Sequence, residues 1–531
     1  MDWKGFVTAV GPPTDQLQPQ DVTPDPAAPP GPEPAVSRAA VPAIPSASIP
    51  MRTAPAKPGR KSWVDHPVTV ATIMALALPT LLEQLLSAAI GFTDTWLAGH
   101  TATSDVGNAA SAAAVGTMTY IQWFAGLMTA ALGTGASAIV SRSIGAKRFR
   151  LANRVAGTVC VTAFLIGIGV ALFFYIAAWP LVYIFGLRDA AAPGAVSPAQ
   201  LGVDYLRIMC WTICFQTAGQ IGMACLRGAG DTLRPMLITF AITLVNGFFS
   251  TALTFGWWGF PAWGIKGNAT GTLLAFVIAG VLTFAFLLYG DAGLKLRLRH
   301  LRVVPHLLGR IARIGLPSWV EGMVLWTGQA AVVMLVMHQV DAAVGVSGAT
   351  MAAHNATLRI ESLAFLPGFG FGIACAALVG QYLGAKKPHE AARAVLLCTR
   401  LALLTMTLAA LPMVFIPGIM LRWMVNSSSV AAVGLIPLII AGLAQPGFAV
   451  AIIKSSALKG AGETLPPMYA TFTGMGGRVV VVLIAMFFLA RSNLAQYGLI
   501  AVWVCIFFDL NFRAVFLEFA FRRGRWKQQR V

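Results

Sequence analysis

The sequence predicts an all-α integral membrane protein with twelve transmembrane helices in two pseudo-symmetric six-helix bundles. Three observations lead there. First, 57% of the 531 residues are hydrophobic and only 11% are charged, with a mean hydropathy of +0.73. A soluble domain carries about 25% charge, so most of this surface must face something apolar. Second, twelve apolar runs reach the roughly 20 residues that a bilayer core demands of a helix. Third, the two halves of the chain repeat one another.

Residues 1–66 form a different material, and 14 of the 31 prolines fall before residue 60. A stretch such as "PPGPEPAVSRAAVPAIPSASIP" cannot bury a core, so a disordered tail is expected. It has no basic start followed by an apolar run, so it does not read as a signal peptide. The spans then follow at about 68–98, 110–140, 155–180, 201–225, 234–257 and 267–290, which form a first bundle over 67–290. A basic linker occupies 291–309. Spans at about 310–338, 350–381, 393–416, 430–457, 467–490 and 497–521 form a second bundle over 310–521, and 522–531 is a basic tail.

The loops orient these spans. "SRSIGAKRFRLANR" after the second span has five basic residues and no acid, and "KLRLRHLRVVPHLLGRIAR" after the sixth has six. "GHTATSDVGNAA" and "HQVDAAVGVSG" on the opposite side have no lysine or arginine. Positive charge stays inside, which places both termini in the cytoplasm of a multi-pass protein of the cell (inner) membrane.

The repeat is direct. "LPTLLE" (Leu78–Glu83) returns as "LPSWVE" (Leu316–Glu321), and "CLRGAGDTLRPM" (Cys225–Met236) returns as "ALKGAGETLPPM" (Ala457–Met468). "RSIGAKR" near Gly145 returns as "QYLGAKK" near Gly384, and the three offsets are 238, 232 and 239. Six spans per copy is an even number, so both copies cross in the same direction about an axis along the membrane normal. Two such halves around a central cavity suit alternating access.

Several function classes are excluded or disfavoured. The net charge of +18 sits in the short loops between spans, which argues against nucleic-acid binding. Seven cysteines lie inside apolar runs without C-x-x-C spacing and read as buried thiols. There is no G-x-x-x-x-G-K-[ST], no H-E-x-x-H and no acidic metal cluster, so neither an enzyme nor a metal site nor a cofactor is expected. "GFGFG" after Pro367 reads as a bend with close helix packing, not as a dinucleotide site. A pump without ATP machinery must draw on an ion gradient.

Charges inside the spans are therefore the functional candidates. An ionised aspartate at the bilayer centre costs about 2.5–3.5 kcal/mol on insertion scales. Asp94 lies eleven residues after Glu83, near three turns, so the two can share a face. Asp94 couples an ion or caps its helix near the outer end. Glu83 and its repeat Glu321 couple an ion or bridge helices. Glu361, two residues from Arg359, faces the cavity or joins a structural charge network. Arg478 does likewise or pairs with a carboxylate. Asn246 completes this polar set; it and Ser250, one turn later, are cavity candidates, and Trp96, Trp319 and Trp326 are candidates for a cavity wall that receives cations.

These stretches together resemble the multidrug and toxic compound extrusion (MATE) family over about residues 68–521. "GFTDTWLAGH" resembles the first-helix D-T-x-x-x-G signature. The two "GAG" stretches resemble the paired loops after helices 4 and 10. "GFPAWGIKGNATGT" resembles the start of helix 6, and "AAHNATLRIESLAFLPGFGFGIACAALVGQYLGAKK" resembles helix 8. The resemblance implies a twelve-helix antiporter that exports organic cations or related amphipathic compounds against inward proton or sodium flow. It implies coupling at Asp94, with Asn246 beside it. Ser250 stands where some members carry an aspartate, "AQPGFAV" lacks the helix-10 acid of the NorM-like branch, and Glu321 lies about one turn before that branch's helix-7 glutamate. Fewer acids tilt the expectation from sodium towards protons. The alternative is a flippase for a lipid-linked saccharide or other lipid, whose cavity would carry several cations for a pyrophosphate. The expected partners are small amphipathic molecules and membrane lipids, around a monomer.

Overall fold

The structure is a computed structural model and describes residues 63–101, 105–184, 187, 197–290, 293–344, 349–425, 427–492 and 497–529. The expected tail lies outside the described residues as far as residue 62. Fourteen α-helices and no strand occur among the described residues. They are α1 (Val70–Ala98), α2 (Asp105–Gly145), α3 (Phe149–Ile176), α4 (Ala178–Ile184), α5 (Pro198–Gly228), α6 (Leu233–Phe255) and α7 (Ile265–Tyr289) in the first half. The second half has α8 (Pro305–Val344), α9 (Ala349–Gly384), α10 (Pro388–Phe415), α11 (Pro417–Met424), α12 (Ser428–Ala461), α13 (Leu465–Arg491) and α14 (Gly498–Arg522).

Twelve of these helices have 23 residues or more, roughly 35 Å at 1.5 Å per residue and enough for a hydrocarbon core of about 30 Å. Each overlies one expected span, and the chain is a multi-pass membrane protein. Nine meet a strict test of length and apolarity among the described residues. α5, which does not, lines the cavity described below. The two short helices are not anticipated by the sequence reading. α4 follows a break at Ala177, and α11 begins with Pro417 after a break at Ile416, at equivalent places in the two halves.

Two expected boundaries are corrected. Trp63–Asp65 forms a 3-10 turn rather than the end of a disordered tail. Val64 is buried, Lys387 Nζ donates to its carbonyl at 2.8 Å, and the Tyr382 hydroxyl donates to the His66 carbonyl at 3.1 Å. The expected linker over 291–309 also buries Leu294 and Leu296, and α8 already starts at Pro305. Leucines alternating with the basic residues let it pack on α3, where the Thr158 hydroxyl donates to the Arg302 carbonyl at 3.0 Å.

The repeat is visible in the packing. In the first half α1 packs on α6, α2 on α3 and α5, α5 on α3 and α7, and α6 on α7. In the second half α8 packs on α13, α9 on α10 and α12, α12 on α10 and α14, and α13 on α14. Across the halves α1 meets α9, α2 meets α8, and α2 meets α9 along the symmetry axis.

The halves interlock at the ends that carry the basic loops. Arg142 at the end of α2 donates to the Ala461 carbonyl at the end of α12 (3.3 Å). Its repeat, Gln381 of α9, donates to the Gly228 carbonyl at the end of α5 (3.0 Å). Gly145 lies against the backbone of Gln381 and Gly384 against that of Arg142, so neither position has room for a Cβ. Small residues let backbones approach in this way. The repeated "GAG" turns follow, with Gly230 at φ +86° and Gly462 at φ +84°, a region that favours glycine. We expect Gly384→Leu to wedge this interlock open. In a background with the native cysteines replaced, Ser141→Cys, at a buried position, should then react faster with a membrane-impermeant maleimide. Equal rates with and without the leucine would show that the interlock is not the seal.

Candidate functional site

α1, α6 and α7 converge on Asp94. α6 presents Asn246 and Ser250 one turn apart, and α7 presents Asn268 and Thr272 one turn apart. α7 approaches closely because Gly267 meets the backbone of Leu253 and Gly271 meets Ser250. Asp94 Oδ1 accepts from Asn246 Nδ2 at 3.2 Å and from the Thr272 hydroxyl at 3.3 Å. Asn246 Nδ2 also reaches Thr272 Oγ1 at 2.9 Å and Ser250 Oγ at 3.1 Å. Asn268 Nδ2 donates to the Asp94 backbone carbonyl at 3.0 Å. The amide oxygens of Asn246 and Asn268 are buried without a hydrogen-bond partner. No basic side chain pairs with Asp94 among the described residues.

Glu83 and Glu321 stand differently. Glu83 pairs with Arg227 at 2.5 Å, and Glu321 pairs with Lys459 at 3.0 Å. Arg227 and Lys459 occupy the same position in "CLRGAGDT" and "ALKGAGET", so the two ion pairs are related by the repeat. Each glutamate thus bridges helices within its own half. The structure does not join Glu83 to the Asp94 cluster.

Among the described residues the second half has no copy of that cluster. Adding the repeat offset of 238 to Asp94 gives Val332. Glu361 accepts instead from Gln445 Nε2 at 3.3 Å, supplied by the acid-free "AQPGFAV" stretch. Arg359 is exposed and makes no ion pair with Glu361. Arg478 donates to Gln329 Oε1 and lies 3.8 Å from Asp509, which Arg513 grips through two bonds of 2.6 Å.

A cavity of about 410 Å³ lies between the halves, bounded by α2, α5, α9 and α12. Its charged lining residues are Arg227 and Lys459, with Gln216, Gln220, Ser137 and Ser456 among its polar ones. None of the seven residues expected at the substrate cavity lines it. Asn246 and Ser250 are buried in the Asp94 cluster, and Glu361 and Arg478 are buried in the second half. Trp96 is exposed, stacked on His100 at 4.5 Å. Trp319 and Trp326 are half-buried, and the Trp319 indole N–H lacks a partner. The expectation sought acids and aromatic rings, whereas the described lining is two cations among Gly, Ala, Ser, Thr, Gln and Ile, which look like helix-packing residues in a sequence. The overlooked signal was the repeated cation of the "GAG" stretches beside the repeated glutamate of "LPTLLE" and "LPSWVE".

The twelve-helix duplicated fold, its interlocked ends and the cavity between its halves are those of a membrane transporter. The MatE family profile matches residues 79–251 and 317–484, and the chain belongs to this family. It is 26% identical over 463 residues to the probable multidrug resistance protein NorM of Thermotoga maritima, covering 86% of this chain and 93% of that one. It is 23% identical over 480 residues to the uncharacterized transporter YisQ of Bacillus subtilis, covering 90% and 98%. Its fold is similar to the Vibrio cholerae MATE transporter VcmN, with a TM-score of 0.72, 17% identity and coverage of 86% and 98%. It is also similar to a MOP superfamily transporter from Pyrococcus furiosus, with a TM-score of 0.73, 19% identity and coverage of 86% and 96%.

Proposed function

We propose that this protein is a secondary active antiporter that exports drug-like amphipathic compounds across the cytoplasmic membrane, driven by proton influx. The observation that carries the coupling site is Asp94, a carboxylate inside a membrane helix whose side-chain partners are all neutral. A group that must gain and lose a charge during a cycle cannot be permanently neutralised by a fixed cation. Glu83 and Glu321 are so neutralised, which favours Asp94 over them. Family membership and the multidrug resistance relatives support export of drugs. The interlock at the basic ends supports a state open to the outside, with basic loops and both termini cytoplasmic. Both ends of the described chain lie there: Val64 and Trp526 share one core with the ends of α9 and α12.

The test is efflux of a fluorescent amphipathic compound from proteoliposomes under an imposed proton or sodium gradient. Acceleration by the proton gradient alone is expected. Flux indifferent to both gradients would end the antiport reading. A lipid flippase is the second reading, favoured by the two cations at the cavity. Gradient-independent scrambling of a labelled lipid would favour it.

A further inference from the structure

We infer that the cavity between the halves receives the anionic group of its substrate, a carboxylate or a phosphate on an amphipathic molecule, between Arg227 and Lys459. This rests on the reading of the chain as a transporter and goes further by assigning the charge of what it carries.

Among the described residues the lining contains two cations, no carboxylate and no aromatic ring. The cations come one from each half, at repeat-related positions near the ends of α5 and α12. Their glutamate partners sit behind them. Arg227 and Lys459 side chains are 15% and 28% exposed, against 5% for Glu83 and 9% for Glu321. A molecule in the cavity therefore meets ammonium and guanidinium before it meets either carboxylate. Arg227 engages Glu83 through Nη1 alone, which leaves other donors of its fork for a second acceptor. Gln216 and Gln220, one turn apart on α5, add amides without hydrogen-bond partners among the described residues. Ile213, Ile221 and Ile373 supply apolar wall on the same lining. The volume of about 410 Å³ is within the range of sites for small organic molecules. Cationic floor, amide side and apolar wall together describe an amphipathic anion. A cationic ligand would face two like charges first.

The proposal is tested on the full chain purified in detergent, by fluorescence titration with two probes of one skeleton. One is a dansyl-labelled alkyl carboxylate and the other is the matching alkyl amine. Wild type should bind the carboxylate more tightly than the amine. To keep charge balanced and the fold intact, the variants are the pairs Arg227→Gln with Glu83→Gln and Lys459→Gln with Glu321→Gln. Losing a charge-assisted hydrogen bond weakens binding by about tenfold or more, so each pair should weaken the carboxylate by that factor and spare the amine. Arg227→Lys should retain most of the affinity. Carboxylate affinity within about twofold of wild type in both double variants, or tighter binding of the amine by wild type, overturns the proposal. Displacement of the probe by short-chain phosphatidic acid assigns the anion to a lipid headgroup. Displacement by the unlabelled carboxylate alone assigns it to a soluble compound, and displacement by neither overturns it. Binding is read without flux, so a chain that binds the anion but moves nothing would refute the transport reading and leave only the anion site between Arg227 and Lys459.

Discussion

Asp94→Asn should abolish proton-driven efflux while leaving the fold in place. The amide keeps an oxygen where Asp94 Oδ1 accepts from Asn246 and Thr272, so the cluster retains its acceptor. It also removes a carboxylate that has no fixed cation, so no basic group is left unpaired. What the amide cannot do is bind and release a proton. Gradient-driven flux should therefore fall to the rate of protein-free liposomes, with a melting temperature in detergent close to that of wild type. Glu321→Gln serves as the control: it disturbs an ion pair, so any loss of flux should come with a loss of stability. Retention of proton-driven flux by Asp94→Asn would sink the coupling role. A sodium-driven flux lost in both Asp94→Asn and Asn268→Ala would reassign the cluster, because the unpartnered oxygens of Asn246 and Asn268 are the kind of ligands that sodium takes.

This cluster shows how far a sequence can be read. Asp94 and Asn246 were legible as polar groups in apolar runs, where they are costly, and the family resemblance set them side by side. Asn268 and Thr272 went unremarked because neutral polar residues are common where membrane helices pack. Their spacing of four residues, which puts both on one face of α7, was the available signal. The twelve spans were legible because hydropathy responds to some twenty residues at once. α4 and α11, with seven and eight residues, fall below that window and are fixed by helix breaks rather than by composition. The ion pairs needed tertiary structure. Glu83 and Arg227 are 144 residues apart, and no local pattern joins them.

Among the buried charges, Asp509 should prove the most costly to remove. Its carboxylate, 2% exposed, lies between Arg513 and Arg478, whose side chains are 9% and 5% exposed. Breaking a buried ion pair by deleting one partner costs about 3–5 kcal/mol, because the other charge stays buried. Asp509→Ala leaves two guanidinium groups in that position, so its cost should reach the upper end of the range. Glu83→Gln should cost less, since its partner Arg227 can turn towards the cavity it already lines. Thermal unfolding followed by size exclusion should rank wild type above Glu83→Gln and both well above Asp509→Ala. The reverse order would mean that the Asp509 pairs are solvated or dispensable. This ranking also bears on Arg478, expected from sequence at the substrate cavity. Its bonds to Gln329 and its place beside Asp509 tie α13 to α8 and α14. Arg478→Met should accordingly lower stability, because it leaves Gln329 without its donor and Asp509 with one cation instead of two. It should not alter the affinity of the cavity for the alkyl carboxylate, whereas replacing the cavity-lining Arg227 together with Glu83 should.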